Sequence, residues 1–543
     1  MRMPQPHEYD ALVIGGGHNG LVCAAYLAAG GLKVCVLERR GIVGGAAVTE
    51  EFHPGFRNSS CSYTVSLLNP KVMGDLRLAE HGLRIVERTY ANFLPLPDGG
   101  CFRFGGEHTQ AEVARLSARD AGRLPDYFAM LERVVAVLRA LLTQTPPNVS
   151  DRFVLADWLN SWAVAKQLRG LDMRGRRDLL DLFTKSAGEL LDAWFESGPL
   201  KAVLGWDSVV GNFASPYTPG SAYVLLHHVF GEVNGKQGVW GHAIGGMGAI
   251  SEAIAAEARA RGVEIRTNAP VARVRVEQGR AAGVVLSDGE ELRAARVVSG
   301  VNPKLLYTRL FEAGTLPDET VQRIGRYRCA SGTFRMNVAL SELPDFRCMP
   351  GTQLQPHHSS GILIGHSLDY FERAYFDAKG REHNPGWARE PIVELVISST
   401  LDDTLAPPGQ HVASLFCQQV HPELDWDTHR DTVAQLMIDT IDRYAPNFRR
   451  SVLGYGALSP LDLERDYGLT GGDIFHGALG LDQLFSARPL LGQGDYRGAL
   501  PGLYLCGSGT HPGGGVTGVP GMNAAREILR DVRRGRFPGS ADR

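Results

Sequence analysis

Apolar positions along this chain follow two different periods. Ala11–Ile14 is a short continuous apolar run, glycines follow it, Leu21–Ala29 is small and apolar, and Lys33–Leu37 is apolar again. Short runs of this kind bounded by glycine read as buried strands, and the longer stretch between them reads as a helix, so the pattern predicts a β-α-β unit. Across residues 107–240 the period lengthens. Phe128, Leu131, Val134, Val135, Leu138, Leu141 and Leu142 recur at helical spacing, and Pro146–Pro147 closes that helix. This face reads as ordinary core or as the wall of an apolar substrate channel. A glycine-led helix is predicted over 245–262, then short strands over 262–300 with a turn at Ser287–Asp288–Gly289. Residues 330–420 alternate in IVELVISS and HVASLFCQQV, which predicts strands flooring a cavity. Near the end, LYLC enters another glycine-rich turn, and a helix over Asn523–Leu529 leaves it.

The first glycine turn has a chemical reading. Gly15, Gly17 and Gly20 match G-x-G-x-x-G between a strand and a helix, and the second strand ends in Glu38, near the ~20-residue offset of a ribose-binding acid. Gly15 permits the tight turn, Gly17 lets backbone amides approach a pyrophosphate, and Gly20 lets the helix lie close to the strand. The helix N-terminus supplies unpaired N–H groups to phosphate. Glu38 favours an unphosphorylated ribose. Gly44–Gly45–Ala46, just past Arg39 and Arg40, forms a second close-approach loop. The C-terminal turn, GSGTHPGGG, has no acid at the ribose offset and is not an independent dinucleotide site. Two such turns at opposite ends of the chain point to one long coenzyme gripped at both halves, which suits FAD better than a nicotinamide.

The stretches GGGHNGLVCAAYL, ERRGIVGGAAVTEE and YLCGSGTHPGGG, with the helix-plus-strands unit between them, resemble the phytoene desaturase-related branch of flavin amine oxidase-type proteins. The likeness spans nearly the whole chain in order, and the GHNGLVCAAYL and GTHPGG stretches are shared with O-type carotenoid ketolases. It implies an α/β fold: a Rossmann-like FAD-binding domain of the amine oxidase/phytoene desaturase type with an inserted α+β substrate domain. On this division residues 1–105, 240–310 and 455–535 form the FAD domain, and 106–239 and 311–454 the substrate domain. The resemblance also implies non-covalent FAD. Gly15, Gly17, His18, Asn19, Gly20, Glu38, Arg39, Gly44, Gly45 and Ala46 would hold its ADP half, and Val271 would meet the adenine through its backbone. Gly507, Ser508, Gly509, Thr510, His511, Pro512, Gly513 and Val516 would lie along the ribityl chain and the ring. Ser508 stands where many flavin relatives place an acid.

Composition narrows the class. With a formal charge of −3 and 44% hydrophobic residues among 543, the chain has the balance of a globular protein, and nothing in it favours nucleic acid. The first ten residues, MRMPQPHEYD, show neither a signal peptide nor a transit sequence. A cytoplasmic setting is expected, or a mitochondrial one in a eukaryote. The basic stretch KQLRGLDMRGRRD (166–178) is read as a solvated helical face or a peripheral membrane contact. Eight scattered cysteines form no C-x-x-C, which argues against thiol–disulfide chemistry. His227–His228 lacks partners at ligand spacing, so no metal is expected.

The chemistry implied is hydride transfer from a carbon of a small, mostly apolar organic substrate to flavin N5. Such a step asks the protein mainly for positioning and exclusion of water. Where an acid or base is needed, His511 is the first candidate, followed by His476 and His242. Amine oxidation and a flavin-loaded regulatory protein remain as alternatives. Oligomeric state is open.

Overall fold

The first and last glycine turns hang from neighbouring strands of one parallel sheet. The computed structural model describes residues 8–148, 155–380 and 386–535, so most of the MRMPQPHEYD segment lies outside the described residues. The sheet runs Glu264–Arg266, Val34–Leu37, Ala11–Ile14, Val297–Ser299, Leu503–Leu505. Ala11–Ile14, at its centre, is buried at every position, as its unbroken apolar sequence predicts. Helices His18–Ala29, Gly248–Ala260 and Val519–Arg533 pack together over this sheet, with Leu21, Ile254 and Ile528 in one apolar cluster. The last helix is longer at both ends than the Asn523–Leu529 expected, and at its start Gly518, at φ 72°, and Pro520 begin it early. It comes within backbone contact of the first helix: a Cβ on Gly521 would stand 2.2 Å from the Asn19 carbonyl oxygen.

Strands Val271–Glu277, Arg280–Leu286 and Glu291–Arg293 form the antiparallel unit predicted around Ser287–Gly289. A second large sheet has seven strands, in the order Val452–Leu458, Phe334–Leu340, His411–Val420, Trp387–Val396, Gly361–Ile364, Asn92–Pro95, Cys101–Phe104. Asn92–Pro95 and Cys101–Phe104 thus belong to a sheet whose other strands come mainly from the 311–454 segment, so this sheet joins pieces from both sides of the boundary expected at residue 105.

Helix Trp426–Asp442 covers one face of that sheet. The other faces a helical layer that includes Ala118–Leu142, Ala187–Trp194, Gly198–Trp206 and Ser221–Val229. Leu131, Val134, Val135, Leu138 and Leu141 are buried there as predicted, whereas Phe128 is 42% exposed. The 166–178 stretch spans the end of helix Leu155–Arg169 and the start of Met173–Thr184, with Lys166, Arg169, Arg174, Arg176 and Arg177 all exposed. No helix among the described residues is long and apolar enough to cross a membrane.

Candidate active site

Gly15 turns the chain at φ 93°, and a Cβ on Gly20 would lie 2.2 Å from the Gly15 carbonyl oxygen, so the helix can start only with glycine there. Gly17 differs: a Cβ would find its nearest protein atom at 3.9 Å, and the residue faces a cavity instead. Gly44 donates to the Gly16 carbonyl at 2.8 Å, laying the second glycine loop beside the first. The buried Glu38 carboxylate accepts from the Gly16 N–H at 2.7 Å and the Arg40 N–H at 2.9 Å, which fixes the acid at the rim of the turn.

Asn19 joins this turn to the last one. Its Nδ2 donates to Ser508 Oγ at 3.0 Å, across 489 residues of sequence. The other side of Ser508 is held by a residue that no local motif marks. Arg488 is fully buried without a carboxylate partner among the described residues, and its guanidinium donates to the carbonyls of Phe475, Gly477, Gln483 and Ser508. A buried arginine satisfied by four carbonyls clamps the 475–483 loop onto the flavin-type turn. Only the folded chain brings those carbonyls together.

Around these turns lie two adjoining cavities. One, of about 350 Å³, is lined by Gly15, Gly17, Asn19, Gly20, Glu38, Arg39, Gly45 and Val271, among others. The second, of about 140 Å³, has Val516 in its wall and continues between Tyr63, Trp206, Trp240 and Phe416. His18, Ala46, Leu469, His476 and Ser508 line both, so the cavities meet at the crossing of the two turns. Val516, β-branched at φ 57°, is held in a conformation that costs energy, as residues in functional walls often are.

The three candidate histidines part company here. His476 faces the junction, at φ 59°, with Nδ1 buried and unpaired; burial, then His18 and Arg488, hold its pKa down to about 3. It is neutral at working pH, as is His18, lowered to about 4 by burial. His511 is turned away from the junction. Its Nε2 meets the Leu141 carbonyl at 3.1 Å, its ring packs on Phe485, and it lines a separate apolar cavity with Leu138, Leu141 and Phe183. His242 lines neither adjoining cavity: its Nε2 is 3.0 Å from Asp402, which also accepts from the Gly245 N–H. Burial, which alone would raise the Asp402 carboxyl, is outweighed by those bonds and by Thr404, bringing it down to about 2. His511 and His242, expected as acid or base, thus each direct Nε2 to a structural partner, and neither lines the joined cavities. Gly507, Gly509, Thr510, Pro512 and Gly513 build the last turn: the Thr510 hydroxyl donates to the Gly507 carbonyl at 2.8 Å, and Gly513 has φ 116°.

Charges in the second cavity were not foreseen. Glu394, within strand Trp387–Val396, accepts from Arg88 Nη1 at 3.2 Å and from the Tyr63 hydroxyl. Arg88 Nη2 also donates to Thr64 Oγ1 at 2.7 Å. Asp207, just after helix Gly198–Trp206, lines the same wall. The sequence signal was a lone acid within an apolar strand, IVELV.

Comparison with known proteins decides the family. Residues 20–333 match the model of the flavin containing amine oxidoreductases. Pyridine nucleotide-disulfide oxidoreductase domain-containing protein 2 of Rattus norvegicus is 43% identical, over 97% of this chain and 94% of its own. The chain belongs to the flavin containing amine oxidoreductase family. A limonene dehydrogenase subunit of Castellaniella defragrans is 25% identical, over 98% of this chain and 96% of the relative. Cyclohexylamine oxidase from Brevibacterium oxydans shares the fold, with a TM-score of 0.58 at 16% identity, covering 97% of this chain and 100% of that one.

As a member of this family the chain is an FAD-dependent oxidoreductase. The site fits the coenzyme on its own geometry. Its glycine turns adjoin, its two cavities share five lining residues, and three buried polar atoms without partners among the described residues (His18 Nε2, Asn19 Oδ1 and His476 Nδ1) belong to residues that line them. Cys61 is the one cysteine among the described residues lining these cavities, and burial raises its thiol.

Proposed function

We propose that this protein is a dehydrogenase, desaturase or oxidase acting on a carbon of a mostly apolar organic molecule. The observation that carries this reading is that the two cavities share His18, Ala46, Leu469, His476 and Ser508 in their walls. A coenzyme spanning both would rest its ADP half on Gly15, Gly17, Asn19, Gly20, Glu38, Arg39, Gly44, Gly45 and Val271. Its ring half would rest on the Gly507–Gly513 turn and Val516. When bound, FAD supplies a two-electron acceptor for hydride.

The chain's own part is to bind, orient and keep water out. Neutral His18 and His476 place no charge at the junction. Trp206, Trp240, Tyr63 and Phe416 give the substrate chamber apolar faces, with Tyr63 and Phe416 stacked at 5.4 Å. The limonene-related name of one relative supports an apolar, terpene-like body. Those aromatic walls and the small chamber also favour a second reading, oxidation of an amine on a compact carbon skeleton. An anaerobic spectrum tests both: a panel of terpenes, alcohols and amines should contain members that bleach the flavin, and a flavin that stays oxidised across the panel leaves a binding protein.

A peripheral membrane contact would suit apolar substrates. Trp158, Leu159 and Trp162 are each at least half exposed on the helix that carries Lys166 and Arg169. Apolar side chains beside exposed cations suit an anionic bilayer surface.

A further inference from the structure

The chamber beyond the junction is not purely apolar. Tyr63, Thr64, Arg88, His228, Glu394 and Asp207 all reach its wall. Arg88 and Glu394 form a buried pair, closed further by Tyr63 and Thr64. Asp207 has no such partner, and no hydrogen bond or ion pair from the described residues engages its carboxyl. An unpaired carboxyl in an aromatic chamber is unfavourable if only hydrocarbon ever meets it. His228 adds a complementary feature. Its Nδ1 bonds the Val224 carbonyl at 2.8 Å, which requires the proton on Nδ1 and leaves Nε2 as an acceptor.

We propose that Asp207 is the proton acceptor of the reaction, and that the substrate carries an O–H or N–H on the carbon that yields hydride. This rests on the oxidoreductase reading above and deepens it. The balance is complete: H–C–X–H becomes C=X, the hydride leaves for the bound flavin, and the X–H proton passes to an Asp207 carboxylate oxygen. X is oxygen or nitrogen, and the apolar remainder of the molecule lies against Trp206, Trp240 and Phe416. Arg88 pairs with Glu394, so Asp207 is the carboxyl of the wall without a cationic partner among the described residues. The environment tunes it accordingly. Burial first, then the negative charge of Glu394, partly offset by Arg88, push the Asp207 carboxyl up to about 8. The other titratable groups in the wall are Cys61, Tyr63, His18, His228 and His476; burial raises Cys61 and Tyr63 and lowers the three imidazoles, so none of them takes up a proton near neutrality in its stead. A general base with a pKa near working pH is the efficient kind.

Three probes with one carbon skeleton test this on the FAD-loaded enzyme: perillyl alcohol, perillylamine and limonene. The first readout is independent of turnover. In protein labelled with ¹³C at aspartate carboxyls, the signal lost in D207N should titrate near pH 8 and move when the alcohol or the amine is added, but not with limonene. The second is anaerobic flavin bleaching. The alcohol or the amine, whichever bleaches, identifies X. The rate should rise with pH through about 8, fall about 100-fold or more in D207N with a flat pH profile, and partly recover in D207E, while FAD content stays that of wild type. Limonene bleaching as fast as the other two, unchanged in D207N, overturns the Asp207 assignment and leaves the hydride chemistry standing. An Asp207 signal that neither the alcohol nor the amine moves overturns the assignment outright. A signal that moves without bleaching by any probe keeps Asp207 as the polar contact and overturns its role as acceptor for this class.

Discussion

Asn19 and Ser508 share a hydrogen bond of 3.0 Å although 489 residues separate them. It ties the helix that opens the first glycine turn to the turn that closes the site. Both residues line the cavity, so the bond sets the spacing between the two glycine turns.

Breaking it should loosen FAD without unfolding the chain. A net hydrogen bond is worth about 1 kcal/mol, so Asn19→Ala and Ser508→Ala should each weaken FAD binding roughly 5- to 10-fold. Quenching of flavin fluorescence on titration into apoprotein measures this. The double variant should be little worse than either single one, since both remove the same contact.

Gly20 and Gly17 should fail differently. At Gly20 a methyl group collides with the Gly15 carbonyl at 2.2 Å, so Gly20→Ala should destabilise the apoprotein by about 1–3 kcal/mol. At Gly17 the protein leaves room, the nearest atom being 3.9 Å away. Gly17→Ala should melt like wild type as apoprotein and yet purify colourless. Thermal melts and flavin content separate the two cases.

Buried neutral histidines predict an acid-sensitive fold. Burial lowers His18 and His511 to about 4 and His227, His357 and His476 to about 3. The unfolded chain therefore takes up these protons first, from 6.5 downward, and stability is lost as pH falls from 6.5 toward 3. Asp473, raised to about 6, and Asp207, raised to about 8, act in the opposite sense. Their stabilisation is complete below the ordinary carboxylate value of 3.8 and is lost as pH rises through 6 and 8. The melting temperature of the apoprotein should thus climb from pH 4 to about 6.5 and then level or decline. His357, packed on Phe93 and Phe346 with neither nitrogen bonded, lines neither joined cavity, and His357→Phe should make the climb shallower.

The exposed tryptophans predict lipid binding. Vesicles containing phosphatidylserine should co-sediment with the protein at low salt, and neutral phosphatidylcholine vesicles should not. Trp158→Ser with Trp162→Ser should reduce binding about 10-fold while leaving flavin content unchanged. Equal binding to both vesicle types, or none to either, removes the membrane contact.

Much of the site was legible because it is built from local backbone. G-x-G-x-x-G between strand and helix, Glu38 after the second strand and the GSGTHPGGG turn each announce themselves within about thirty residues. The polar side chains of the chamber were not legible in the same way. His511 ranked first because it sits within the last turn, but a sequence position does not say which way a ring points, and the fold sends it to Leu141. Asp207 and Glu394 sit in segments read as ordinary helix and strand. Arg88, Glu394 and Tyr63 meet only because distant parts of the chain face one chamber.

The sequence by itself determined the glycine turns and the strand–helix–strand order around the first of them, since those depend on periodicity, glycine and short-range spacing. Tertiary structure alone decided that the two grips touch through Asn19 and Ser508, that Arg488 clamps the last turn, and that an unpaired acid faces the chamber. Those outcomes depend on which side chains from remote segments converge, and on the loss of water around them, neither of which is written in any local stretch of residues.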